Sequence, residues 1–264
     1  MRVVMTIAGL DPSAGAGILA DIKTISAYGC YGVAAVTSLT LQNTQGVFGA
    51  HHQSKECVIG QLKPLFDDFK IGAVKTGMLP TSELIEAVAG IVSSEKVQPI
   101  VVDPVVRSTS GYDLIDEAAL EALIKTLFPI ATVVTPNRAE AERITGIQIE
   151  SQSAMYRAAE LILALGPQAV LVKGGDMGGN ASTDLFLDAE GRVLYDAERI
   201  DSTDTHGTGC ALSSSLACLL AIGLSLREAA PIAKRYISEG IRTAPGLGRG
   251  HGPLNHFPPE FKTL

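Results

Sequence analysis

The amino-acid sequence predicts an α/β fold, with a mostly parallel central sheet and helices on both faces. Short β-branched runs alternate with longer stretches of helical period along the chain. That order builds a parallel sheet whose crossovers cover both of its faces. A second observation sets the scale: 264 residues, 46% of them hydrophobic, can fill a large interior. A third concerns continuity. No internal repeat, low-complexity tract or linker interrupts the alternation, so residues 1–264 are expected to form one domain.

The elements follow in order. A first strand covers 3–8, and a helix over 15–28 is stopped by Gly29. Strands at 33–41, 71–76, 100–102, 131–135 and 169–173 are separated by helices at 54–66, from Thr81 onward, 116–127, 137–145 and 153–165. Residues 183–187 and 192–195, joined by Asp188-Ala189-Glu190-Gly191, have the form of a hairpin. Two further helices span 211–222 and 226–243.

Composition excludes several classes. A net charge of −7 argues against a nucleic-acid binder, because phosphate backbones need clustered Lys and Arg. No apolar stretch is long enough to span a membrane, since the one after Ala211 is short and broken by serines, and no signal peptide is visible. Cys30, Cys57, Cys210 and Cys218 lack zinc or C-x-x-C spacing, so free thiols in a cytoplasmic, reducing compartment are expected.

In such sheets ligands sit beyond the carboxyl ends of the strands. Those ends read Gly9 with Asp11-Pro12-Ser13, Gln42-Asn43-Thr44, Thr76-Gly77-Met78, Asp103-Pro104, Thr135-Pro136-Asn137 and Lys173-Gly174-Gly175. Turns favour these residue types anyway, but six such ends on one rim predict a site there.

Thr205-His206-Gly207-Thr208-Gly209-Cys210 leads into the helix at 211–222 and could add its N-terminus to that rim. Bare glycines at a helix start, with about half a positive charge and unpaired N–H donors, make an anion site. Thr208 would add a hydroxyl donor. The same field would lower the Cys210 thiol from its usual value of about 8.5. The alternative reading is a glycine-rich loop feeding a core helix. Asn137-Arg138-Ala139-Glu140 also has two readings, a capping box or a carboxylate turned toward hydrated magnesium. Asp103, ending a buried strand before proline, would with Lys173 place opposite charges around a nucleotide phosphate. Asp21 lies on an otherwise apolar helix face, and an inward carboxylate needs a partner, which a ligand amine would supply. The phosphate-binding G-x-x-x-x-G-K-[ST] pattern is absent, and Gly15-Ala16-Gly17 sits too far from the first strand for a dinucleotide fingerprint.

Several of these segments together resemble one family. They are Ala8-Gly9-Leu10-Asp11-Pro12-Ser13-Ala14-Gly15-Ala16-Gly17-Ile18-Leu19-Ala20-Asp21, Gln42-Asn43-Thr44, Lys75-Thr76-Gly77-Met78, Val102-Asp103-Pro104-Val105, the segment from Thr135 to Glu140, Val172-Lys173-Gly174-Gly175 and His206-Gly207-Thr208-Gly209-Cys210. In that order, and with Gly250-His251-Gly252-Pro253-Leu254-Asn255-His256 near the end, the chain resembles the hydroxymethylpyrimidine and phosphomethylpyrimidine kinases of thiamine biosynthesis. Two departures stand out. Ala14 replaces the more usual glycine, with a mild effect expected. Arg107 stands where many relatives carry a lysine before Ser-Gly, which leaves its role open.

The resemblance implies a three-layer ribokinase-like fold that transfers the γ-phosphoryl of Mg-ATP to a ring hydroxymethyl group. It implies Cys210, as thiolate, accepting or steering the alcohol proton, while Gly207, Thr208 and Gly209 hold the γ-phosphoryl charge. Asp103, Asn137, Lys173 and Thr208 are expected around ATP, with Mg2+ organised by Asp103 and Glu140 through water. The pyrimidine is expected among Gly9, Asp21, Gln42, Met78 and Val105, with Gln42 free to meet an aminopyrimidine edge. A second phosphorylation to the diphosphate and a homodimer are implied as well. The alternatives are a pyridoxine or pyridoxal kinase of the same fold, and a non-catalytic pyrimidine or nucleotide sensor.

Overall fold

The computed structural model describes residues 1–106, 115–175 and 181–261, so the question raised by Arg107 lies outside the described residues. The strands are β1 (Val3–Leu10), β2 (Tyr31–Asn43), β3 (Gly46–His52), β4 (Ile71–Thr76), β5 (Ile100–Val102), β6 (Val133–Val134), β7 (Ala169–Val172), β8 (Ala181–Asp188) and β9 (Gly191–Glu198). The helices are α1 (Gly17–Ala27), α2 (Lys55–Asp68), α3 (Ser82–Ser94), α4 (Glu117–Ala122), α5 (Arg138–Thr145), α6 (Gln152–Leu163), α7 (Thr208–Ala221) and α8 (Leu226–Arg242). A π-helical turn, Leu123–Leu127, and a 3-10 turn, Phe128–Ile130, continue α4 toward β6.

One sheet joins all nine strands in the order β3-β2-β1-β4-β5-β6-β7-β8-β9. Strands β2, β1, β4, β5, β6 and β7 run parallel, and antiparallel pairings add β3 at one edge and β8 with β9 at the other. Successive side chains point to opposite faces of a strand, and here each face has its own core. Met5, Ile7, Val74 and Val102 pack with α2, α3, α4 and α6. Val4, Ala73, Val101 and Leu171 pack with α1, α7 and α8. Helix α7 is buried nearly all round, which suits its small and apolar composition.

The expected mostly parallel sheet with helices on both faces is therefore observed, and the expected hairpin is β8–β9. Strand β3 is the element the sequence does not announce. Its Gly46, Gly49 and two histidines have weak strand preference, and it forms because β2 runs on past its parallel neighbour. A tight turn, in which Gln45 N–H donates to Asn43 Oδ1 at 2.8 Å, returns the chain alongside it. Helix α7 begins three residues earlier than expected, which brings Thr208, Gly209 and Cys210 into its first turn. Among the described residues, no helix is long and apolar enough to cross a membrane.

Candidate active site

The chain leaves β1 for β2 on one side and later enters β4 on the other, so the strand order reverses around β1. Open α/β sheets bind ligands in the crevice at that reversal. A cleft of about 1290 Å³ lies there, and all six strand ends singled out in the sequence line it, together with the start of α7. Of the expected site residues, Gly9, Gln42, Met78, Val105, Asp103, Asn137, Glu140, Lys173, Gly207, Thr208, Gly209 and Cys210 all border this space. Asp21 does not.

One set of groups lining the cleft suits an anion. Gly207 caps α7 with φ +81°, and a Cβ there would fall 1.8 Å from the Gly15 carbonyl oxygen, so only glycine fits. The obstacle to a side chain's backbone geometry thus lies at Gly207, not at Gly209. A Cβ on Gly209 would instead approach Lys173 Nζ at 3.1 Å and Asp103 Oδ2 at 3.7 Å. Among the described residues the Gly209 and Cys210 amides have no protein acceptor, so they remain available to a ligand.

Lys173 Nζ donates to Asp103 Oδ1 at 3.0 Å and lies 3.8 Å from Glu140 Oε2. Burial alone would lower the Lys173 pKa, but the Asp103 and Glu140 charges hold it above the usual lysine range. Thr135 Oγ1 also donates to Asp103 Oδ1, at 2.9 Å. The capping reading of Asn137 and Glu140 is realised. Asn137 N–H donates to Glu140 Oε2 at 2.7 Å, and Glu140 N–H donates to Asn137 Oδ1 at 2.9 Å. Glu140 nevertheless lines the cleft. Burial pushes its carboxyl up to about 7, partly offset by Lys173 and reinforced by Asp103.

Two expectations are corrected. The Cys210 thiol is not depressed by the helix start. It is half-buried in the cleft wall, and desolvation there pushes its pKa up to about 11, against the opposing pull of the Lys75 ammonium. Desolvation, reinforced by the Asp21 and Asp103 charges, outweighs the Lys75 ammonium and the Gly17 N–H bond here, and the resting group is a thiol. Asp21, for its part, awaits no ligand amine. It is fully buried and accepts from Lys75 Nζ at 2.8 and 3.0 Å, Thr6 Oγ1 at 2.6 Å and Ser214 Oγ at 2.8 Å.

Lys75 is the residue the sequence reading left without a role. Fully buried yet bordering the cleft, it is held charged by Asp21, whose pull overcomes the cost of burial. The available signal was a lysine closing an apolar strand opposite an aspartate on an apolar helix, since buried charges come paired.

Other walls of the cleft are apolar and amide-bearing. A Cβ on Gly9 would sit 2.6 Å from Met78 Cε, so the glycine makes room for that thioether. Gln42 is less free than expected: its carboxamide lies 3.0 Å from Thr40 Oγ1 and 3.2 Å from His206 Nε2. His206 in turn lies 2.8 Å from Asp11 Oδ2.

Comparison with known proteins shows the family. A family model described as phosphomethylpyrimidine kinase matches residues 11–255. The hydroxymethylpyrimidine/phosphomethylpyrimidine kinase of Rhizobium meliloti strain 1021 is 46% identical over 259 residues, covering 97% of each chain. The thiamine biosynthesis bifunctional protein ThiED of Geobacter sulfurreducens is 46% identical over 254 residues, which is 96% of this chain and 52% of that protein, so the chain spans about half its length. Among solved structures, the phosphomethylpyrimidine kinase from Clostridium difficile 630 superposes with a TM-score of 0.81 at 41% identity, covering 91% of this chain and 100% of that one. The pyridoxal kinase from Staphylococcus aureus in complex with AMP-PCP and pyridoxal gives a TM-score of 0.90 at 31% identity, covering 98% and 94%. The fold is ribokinase-like, and the chain belongs to the phosphomethylpyrimidine kinase family.

Proposed function

We propose that this protein transfers the γ-phosphoryl group of ATP to the hydroxymethyl oxygen of 4-amino-5-hydroxymethyl-2-methylpyrimidine. A second transfer then converts the monophosphate to the diphosphate, in thiamine biosynthesis. The observation that carries this reading is a single cleft lined both by unpaired amides with Lys173 and by Gln42, Met78 and Gly9. The Staphylococcus aureus neighbour holds an ATP analogue and a ring alcohol substrate, which supports ATP as co-substrate.

Phosphoryl transfer passes through a loose transition state in which positioning and charge stabilisation carry most of the catalysis. The amides of Gly209 and Cys210 and the Thr208 hydroxyl receive the equatorial oxygens of the γ-phosphoryl group. Lys173 neutralises charge toward the ATP phosphates, and Asn137 orients that end. Cys210 meets the acceptor alcohol as a thiol and steers it. A loose transition state demands little prior deprotonation of the nucleophile, so a thiol of high pKa is compatible with this role, and the alcohol proton passes to an oxygen of the transferred phosphoryl group as the new O–P bond forms and ADP leaves. Asp21 serves indirectly, keeping the Lys75 ammonium in the cleft wall beside Cys210.

Among the described residues no group of three or more His, Cys, Asp or Glu could cage a metal. Asp103 and Glu140 fit the other mode, in which one or two carboxylates hold magnesium through its waters and the rest of its shell comes from substrate phosphates. When bound, Mg2+ neutralises phosphate charge.

The chain acts, in this reading, as one kinase domain in the cytoplasm, with no nucleic-acid or membrane partner, and as a homodimer. Leu39, Leu41 and Phe48, exposed on the β2–β3 arm, are the apolar side chains a second copy would cover, and sedimentation measures that state. The reaction itself is tested by incubating the protein with Mg-ATP and a panel of ring alcohols and weighing the products. Mono- and diphosphorylated hydroxymethylpyrimidine are expected. Phosphorylation of pyridoxal alone supports the pyridoxal kinase reading, and the absence of ATP turnover supports a sensor.

A further inference from the structure

We propose that Asp11 and His206 fix which way round the Gln42 carboxamide points, and so set the hydrogen-bonding polarity the cleft offers to the acceptor ring. His206 has a built seat. It is 7% exposed, and a Cβ on Gly15 would fall 2.4 Å from its Cδ2, so a bare glycine admits the ring. Its backbone N–H donates to the Gly252 carbonyl at 3.0 Å, tying it to the C-terminal segment.

The argument is one of proton accounting. Asp11 accepts from Ser13 N–H at 2.8 Å, from Ser13 Oγ at 2.7 Å, from Ala16 N–H at 2.9 Å and from His206 Nε2 at 2.8 Å. Burial opposes ionisation of Asp11, yet these bonds from His206 and Ser13 outweigh it and hold the group below the usual carboxylate range. An ionised carboxylate only accepts, so His206 Nε2 carries a proton. That one proton goes chiefly to Asp11, and Nε2 has no lone pair left, so the carboxamide atom of Gln42 at 3.2 Å can only share the N–H as the longer branch of a three-centre bond, and is the oxygen.

Oxygen and nitrogen of a carboxamide have nearly the same shape, and the network decides between them. Nitrogen toward His206 would set two donors face to face. It would also ask the one Thr40 hydroxyl proton to serve both Leu10 O and Gln42, each 3.0 Å away. Oxygen toward His206 removes both conflicts. The Gln42 amino group then donates to Thr40 Oγ1, and Thr40 Oγ1 donates to Leu10 O. With both ends committed, Gln42 offers the cleft its remaining lone pair and its remaining N–H in one fixed order. That order matches an amine beside a ring-nitrogen acceptor and mismatches the reverse. His206 is a positioning residue, acting through Gln42.

This inference rests on the reading of Gln42 as the ring-binding residue. In the test, His206→Phe removes the donor while keeping a ring. The expected result is an about tenfold rise in KM for hydroxymethylpyrimidine and an equal fall in its kcat/KM advantage over pyridoxal, with KM for ATP within about twofold. His206→Gln, which retains an N–H donor, is expected to recover most of the advantage. In a Gln42→Leu background, His206→Phe should add less than about twofold, because coupled residues are not additive. A full tenfold loss in that background, or an unchanged advantage in folded His206→Phe, overturns the proposal. Imidazole 15N NMR of the unmutated protein gives a reading independent of substrate. A proton on His206 Nε2 supports the proposal, and the Nδ1–H tautomer overturns it whatever ring the protein phosphorylates. Failure of the activity assay with an Nε2–H signal would instead count against the proposed function.

Discussion

Lys75 Nζ lies 2.8 Å from Asp21 Oδ2, and both side chains are completely buried. The pair joins β4 to α1 beneath the cleft, and Ser214 brings α7 into the same cluster at 2.8 Å. Removing one partner of such a pair leaves an uncompensated buried charge, which costs about 3–5 kcal/mol. Asp21→Leu is therefore expected to lower unfolding free energy by that amount in denaturant titration. A variant of unchanged stability whose only defect is pyrimidine affinity would restore the ligand-binding reading of Asp21.

Gly209→Val is expected to weaken ATP binding more than folding. Its Cβ meets the flexible end of Lys173 at 3.1 Å, so the lysine gives way and the branched side chain covers the amides beside it. Gly207→Ala is expected to be worse for folding, because its Cβ would meet the Gly15 carbonyl at 1.8 Å. Thr208→Val, which loses only a hydroxyl, should be the mildest of the three. Nucleotide titration and thermal melts of the set check the order.

Cys210→Ala should lower turnover by up to about 10²-fold, through lost positioning of the acceptor alcohol, while ATP affinity stays within a few fold. The thiol's elevated pKa adds a chemical signature. With a folded value of about 11, Cys210 stays protonated where an unfolded cysteine ionises. The stability it contributes is complete below about pH 8.5 and is lost as pH rises toward its folded value. Iodoacetamide mapping at neutral pH should modify exposed Cys57 before Cys210. Rapid modification of Cys210 at pH 7 would show a thiolate.

Glu140→Gln separates the cap from the metal. Glutamine still closes the capping box with Asn137, so thermal stability should change little, while the magnesium concentration for half-maximal activity should rise several fold. Chelation of divalent cations should abolish turnover. An unchanged magnesium requirement would leave Glu140 as a cap alone.

Ala14 has φ +59°, the left-handed region in which a side chain is costly. Ala14→Gly is expected to raise the melting temperature, with a gain of up to about 1 kcal/mol. The departure judged mild from the sequence thus lies at a strained position.

The features legible in the chain alone follow from local physics. Apolar runs such as 71–76 and 100–102 coincide with β4 and β5, because strands buried on both faces carry their signal in each residue. The rim was legible because strand ends in a parallel sheet emerge on one side, which turned six scattered segments into one cleft. Asn137 and Glu140 were legible as a cap because their contact spans three residues. The remaining features come from packing between distant segments. Asp21 and Lys75 are 54 positions apart, and Asp11 and His206 are 195 apart, so no local pattern pairs them. Strand β3 depends on a neighbour that happens to run long. The state of Cys210 depends on how much protein surrounds it, and a thiol's pKa is a balance between helix field and desolvation that exists only once the chain has closed around it.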